Sequence, residues 1–162
     1  MSLAQAGFIT GLIPLIGVGA VLAGGILPLR ISDKRIFFVV PGFLIGIGGL
    51  GSFLLENNIG ILASVLILGI GSWSYAPTLL SLPMGLKGMT PEKVAVVWGI
   101  FVTASGIGMF VSPIVVGAIR DYWGTFVPGF MIWGIGAWLL FIAGFALPPS
   151  VNDYYEVGQS EN

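Results

Sequence analysis

Long apolar stretches separated by brief polar punctuation make up almost the whole chain. Five runs free of Asp, Glu, Lys and Arg cover residues 6–29, 36–55, 59–84, 94–119 and 126–147. At ~1.5 Å of rise per residue, each is long enough as a helix to cross a hydrocarbon layer of about 30 Å. A charge at mid-bilayer costs about 3 kcal/mol on insertion scales, so five clean runs are a strong signal. Membrane barrel strands would be about ten residues long and would alternate in polarity, which these runs do not. The pattern predicts an all-α membrane protein, a polytopic bundle of about five transmembrane helices over residues 1–149. Residues 150–162 are polar and acidic and read as a disordered tail.

The connections at 30–35, 56–58, 85–93 and 120–125 are short, which predicts that consecutive helices pack as antiparallel hairpins. The first holds Arg30, Lys34 and Arg35 and the third Lys87 and Lys93, five of the six basic residues. Two connections separated by an even number of spans share one side, and basic loops face the cytoplasm. The expectation is a multi-pass protein of the plasma (inner) membrane with a cytoplasmic C-terminus and Met1 outside. A first span with nothing upstream to orient it further predicts that helices are missing from the front.

Composition narrows the function. Only 8% of residues are charged against 56% hydrophobic, which leaves too little polar surface for a soluble domain. A net charge of −1 offers nothing to nucleic acid. The chain has no His and no Cys. It therefore lacks the commonest metal ligand and general base and all thiol chemistry, so no metal, cofactor or enzymatic activity is expected. The 26 glycines fit a membrane bundle, where small residues let backbones approach. Gly46, Gly48 and Gly51 satisfy G-x-G-x-x-G, but inside an apolar span. Roughly twenty residues on, where a nucleotide site needs an acid, stands Gly71. These glycines read as a thin face for helix contact, as do the pairs Gly42 and Gly46, and Gly7 and Gly11.

Two segments carry a family likeness. Residues 25–35 resemble the cytoplasmic-loop motif of the major facilitator superfamily, G-x-L-x-D-R-x-G-R-[RK]. Gly25, Leu27, Arg30 and Lys34 match; Leu29 replaces the Asp, Ser32 the Gly and Asp33 a basic residue, with Arg35 following. Residues 108–117, with Gly108, Ser112, Pro113 and Gly117, resemble that superfamily's g-x-x-x-G-P-x-x-x-G element, Ser112 standing where Gly is expected. The order of the two segments implies helices eight to twelve of a twelve-helix permease, apparently truncated at the N-terminus. The resemblance further implies a latch role for the loop and a central substrate cavity lined by the first, third and fourth runs.

The third run has a polar, aromatic centre in Trp73, Ser74, Tyr75 and Thr78, with Ser81 beyond; Ser74, Thr78 and Ser81 recur at helical spacing. Trp73 and Tyr75 sit far from either interface. They either line a cavity or hydrogen-bond between helices. Thr103 and Ser105 lie near the centre of the fourth run and either face the cavity or bond back to their own helix. Pro14, Pro77 and Pro113 mark kinks suited to gating, and Gly108 and Gly117 admit a neighbour beside the last.

The expected function is transport of a small solute by alternating access, as the C-terminal portion of such a permease. Its partners are the lipid bilayer, the solute, and the missing N-terminal helices or a second chain. A non-transporting structural or assembly subunit is the alternative.

Overall fold

A computed structural model describes residues 3–31, 33–86 and 88–147. The acidic tail at 150–162, together with Ser32 and Lys87, lies outside them. Among the described residues every regular element is helical. The helices are α1 (Leu3–Ile26), α2 (Ile36–Leu54), α3 (Asn58–Ser74), α4 (Ala76–Ser81), α5 (Pro91–Trp123), α6 (Val127–Gly136) and α7 (Trp138–Ala146), with 3-10 turns at Leu27–Leu29 and Pro83–Gly85. α3 with α4, and α6 with α7, each make one interrupted span. Among the described residues there are thus five helical segments long and apolar enough to cross a membrane.

Local chemistry fixes the ends. The Asn57 side chain accepts the Gly60 N–H at the start of α3. Thr90 accepts the Lys93 N–H at 3.4 Å at the start of α5, followed by Pro91 at the first helical position. α5 stops at Gly124, whose φ of 71° lets its N–H close onto the Arg120 carbonyl at 2.8 Å. α5 runs beyond the apolar stretch 94–119 at both ends, because helix formation continues through Glu92, Lys93, Arg120 and Asp121.

Close approaches at glycines set the packing order. A methyl group on Gly48 would lie 2.6 Å from the Leu68 nitrogen, and one on Gly71 would lie 2.9 Å from the Ile45 nitrogen, so α2 and α3 run antiparallel, backbone to backbone. Gly42 meets Phe141, Gly46 meets Trp138 and Gly144 meets Val39, which places α7 antiparallel on the other side of α2. Phe43, Trp138 and Phe141 fill that seam, with ring centroids 5.5–6.1 Å apart. The G-x-G-x-x-G glycines are therefore contact surfaces: Gly46 serves α7, and Gly48 and Gly51 serve α3.

α1 departs from the hairpin expectation. Its contacts pair Ile13 with Gly69, Gly17 with Trp73 and Gly24 with Ser74, so it lies parallel to α3 rather than against α2. The physical reason is reach. Residues 27–35 can extend about 30 Å, while skipping one helix needs about 20 Å. The order of contacts is α1, α3 with α4, α2, then α6 with α7. Gly7 and Gly11 face open space and make no thin contact face.

α5 stands apart. None of its residues is buried, and its main contacts are α6 and the Pro83–Gly85 turn. Ala20, Phe37, Phe38 and Val65 form what hydrophobic core there is, while large apolar side chains cover the outside. Such a surface is unworkable in water and natural in lipid, where all backbone groups are satisfied within helices and apolar side chains need no cover. The chain is a multi-pass, membrane-embedded helical bundle.

Candidate functional site

The polar centre of the third span coincides with a break in the helix. Pro77 lacks an N–H and its ring crowds the carbonyl four residues back, and here α3 ends before it. The Trp73 carbonyl instead accepts the Tyr75 N–H, and α4 restarts at Ala76, with the Leu79 N–H closing onto the Tyr75 carbonyl at 2.9 Å. The kink expected at Pro77 is thus a full interruption.

α1 supplies the floor under this break. The Trp73 indole lies over Gly17, the Ser74 carbonyl presses against Gly24, and Pro77 lies over Gly25. Gly25 of the loop motif and Pro77 of the polar centre are therefore neighbours, although 52 positions separate them in the sequence. Any side chain at Gly24 would meet main-chain atoms, so this contact allows only glycine.

Thr78 is 2% exposed, and its hydroxyl has no partner among the described residues. An unpaired buried hydroxyl costs about 1–3 kcal/mol, so its presence at a helix break inside a span is conspicuous. Ser74 and Ser81 have turned back onto their own chain: Ser74 Oγ donates to the Gly71 carbonyl at 3.4 Å and Ser81 Oγ to the Thr78 carbonyl at 3.0 Å. The three do not share one environment, since Ser74 is half-buried, Thr78 buried and Ser81 exposed. The interruption at Tyr75 breaks the helical spacing that would have aligned them. Trp73 remains 43% exposed and Tyr75 is half-buried.

The fourth-span candidates are not brought to this place. Thr103 and Ser105 are exposed on α5, away from the α3–α4 break. Pro113 lies inside an uninterrupted α5 and Pro14 inside an uninterrupted α1, so neither breaks its helix as Pro77 does. Gly108 and Gly117 have no neighbour within 4 Å of an added methyl group, so nothing packs beside Pro113.

The loop motif forms a structured corner. The Leu27 carbonyl accepts the Arg30 N–H at 2.9 Å and the Ile31 N–H at 3.1 Å. Asp33 accepts the Arg35 N–H at 3.0 Å, an Asx-type turn that starts α2. The Arg35 guanidinium then donates through Nε to the Leu147 carbonyl at the end of α7. A cation on a helix C-terminal carbonyl is favourable, because the last carbonyls carry partial negative charge. The corner thus ties the first connection to the fifth span; Arg30 is exposed and Lys34 half-buried beside it.

Sequence reasoning missed a cleft between α1, α2, α3 and α6, of about 610 Å³. The side that lines it is nearly as apolar as the other sides of these helices, so no polar stripe marked it. Comparison with family models, with curated proteins and with solved structures finds no match to this chain.

Proposed function

We propose that this chain is the C-terminal portion of a major facilitator superfamily permease, moving a small solute across the plasma (inner) membrane by alternating access. The observation that carries the reading is the α3–α4 break, which puts a buried, unpaired Thr78 hydroxyl in the same stretch as Trp73 and Tyr75, in the half of the span nearer the basic corner. A broken membrane helix frees main-chain and side-chain polar groups for a solute, and its seat on a glycine floor permits rocking. The work is binding and release, with no covalent step. Arg35 on Leu147 supports a latch role for the basic corner, and the basic connections support a cytoplasmic placement of that end and of the C-terminus.

The bare surface of α5 supports a bundle completed by further helices, in the same transporter or a second chain. Thr103 and Ser105 would then face those helices or the cavity they enclose. The same surface favours a second reading, a structural or assembly subunit docked through α5.

Single-cysteine scanning separates the two, and the absence of native cysteine makes it clean. A water-soluble maleimide applied to vesicles is expected to label positions between Ser72 and Thr78 in the assembled transporter. Complete protection of all of them supports the structural subunit and removes the transporter.

A further inference from the structure

The cleft between α1, α2, α3 and α6 has a definite polarity along its length. α2 and α3 form its floor over residues 45–53 and 61–68, and α1 and α6 wall it over 6–13 and 130–137. On each helix the lining positions recur at three or four residues, the spacing of one face. Among the described residues no ionisable side chain lines it. Its two side-chain hydroxyls serve their own helices: Thr10 Oγ1 donates to the Ala6 carbonyl at 2.9 Å and Ser52 Oγ to the Gly49 carbonyl at 2.7 Å. Apart from the Trp133 indole N–H, an occupant therefore meets mostly hydrocarbon.

A second cleft of about 510 Å³ adjoins it between the starts of α1 and α3, and Ile9 lines both. This outer cleft brings in the carboxamides of Gln5 and Asn58. α1 and α3 are parallel, so both begin at this end, opposite the basic corner. From Asn58 to Leu68 α3 rises about 15 Å, which is half of a ~30 Å hydrocarbon layer. The combined cleft starts where the spans start and stops at the midplane. There α6 gives way to α7, and no residue of α7 lines the cleft.

We propose that this cleft seats one acyl chain of a bilayer phospholipid from the leaflet opposite the basic corner, with the headgroup end at the Gln5 and Asn58 amides. A groove one leaflet deep, apolar along its walls and amide at its rim, matches a single lipid chain hung from its polar end. A transmembrane helix would need a groove through both leaflets, and the lining residues span only one. The proposal requires only that the chain is embedded in the bilayer, so it stands or falls apart from the transport reading.

The test uses the full chain in phosphatidylcholine vesicles containing a trace of phosphatidylcholine with a photoactivatable diazirine at one of several depths on one acyl chain. Labelling per residue is expected to be several-fold higher over 6–13, 45–53 and 61–68 than on exposed α5 positions such as Ile107 and Ile114. Shallow diazirines should mark the Asn58 end and deep ones Ile13 and Leu68. Gly49→Phe fills the cleft from a position with no atom within 4 Å of an added methyl group, and should cut cleft labelling several-fold. Gly19→Phe, equally open but outside the cleft, should leave it unchanged. Even labelling of cleft and α5, or an unaffected Gly49→Phe, overturns the proposal. So does photochemical capture of a second protein helix in the cleft. If Gly49→Phe does not fold, the depth series on the unaltered chain decides alone.

Discussion

Gly48 and Gly49 are chain neighbours with opposite surroundings, and exchanging each for alanine tests the packing directly. A methyl group on Gly48 would lie 2.6 Å from the Leu68 nitrogen, 2.8 Å from the Ser64 carbonyl oxygen and 2.9 Å from the Leu68 α-carbon. All three are main-chain atoms of α3 and cannot swing aside. An unstrained separation is about 3.5 Å, so α2 and α3 must part by about 0.5–1 Å. A gap of that size forfeits a quarter to a half of each contact, and tens of atom pairs at ~0.1–0.2 kcal/mol each put the loss near 1–2 kcal/mol. This lies within the usual cost of overpacking, about 1–3 kcal/mol. In lipid no hydrophobic term offsets it, because the separated helix faces simply meet acyl chains. Gly49→Ala enters open space and should be neutral or slightly stabilising through helix propensity. Reversible unfolding in mixed micelles, followed by circular dichroism, gives both values. If Gly48→Ala and Gly49→Ala agree within about 0.5 kcal/mol, against a difference of about 1–2 kcal/mol expected from the contact loss, α2 does not meet α3 at Gly48 and the packing order fails.

Other substitutions test separate parts of the account. Arg35→Gln removes the charged donor to the Leu147 carbonyl and should lower stability by about 1 kcal/mol while speeding proteolysis after α7; an unchanged cleavage rate argues against the tether. Thr78→Val replaces an unpaired buried hydroxyl with a methyl group and should leave stability equal or raise it by about 1 kcal/mol, whereas a marked loss would mean that the hydroxyl has a partner. Gly108→Leu adds a side chain where nothing lies within 4 Å, so the unfolding free energy of the isolated chain should not fall; a drop beyond about 1 kcal/mol would place a neighbour beside Pro113.

The spans were legible because lipid imposes one rule on every position of a run, the exclusion of charge. Their ends were less so, since α5 continues through Glu92 and Arg120 on helix propensity and capping alone. At Pro77 the sequence signalled a kink and not a break, and gave the same signal at Pro14 and Pro113, whose helices continue, while the break at Ala137, between α6 and α7, carries no proline and gave no signal. Which face of a helix meets another was largely hidden. Runs that are apolar all round carry no stripe, so Gly42 and Gly46 could not be told from Gly7 and Gly11 by spacing. The first pair meets α7 and the second meets nothing. For the same reason Thr103 and Ser105 resembled Thr78 in sequence, yet they lie exposed on α5 while Thr78 is enclosed. Helix neighbours depend on long-range order, and a connection of nine residues left α1 free to pass α2 and settle on α3.

The central claim is that these helices thread the bilayer five times, with the basic corner, the third connection and the end of α7 on one side. The direct measurement is labelling of single cysteines at Ile31, Asn57, Met89 and Thr125 in sealed vesicles of one orientation, by a reagent that does not cross the membrane. The account predicts that Ile31→Cys and Met89→Cys react from one side only, and Asn57→Cys and Thr125→Cys only from the other. Reaction of all four from the same side would contradict it.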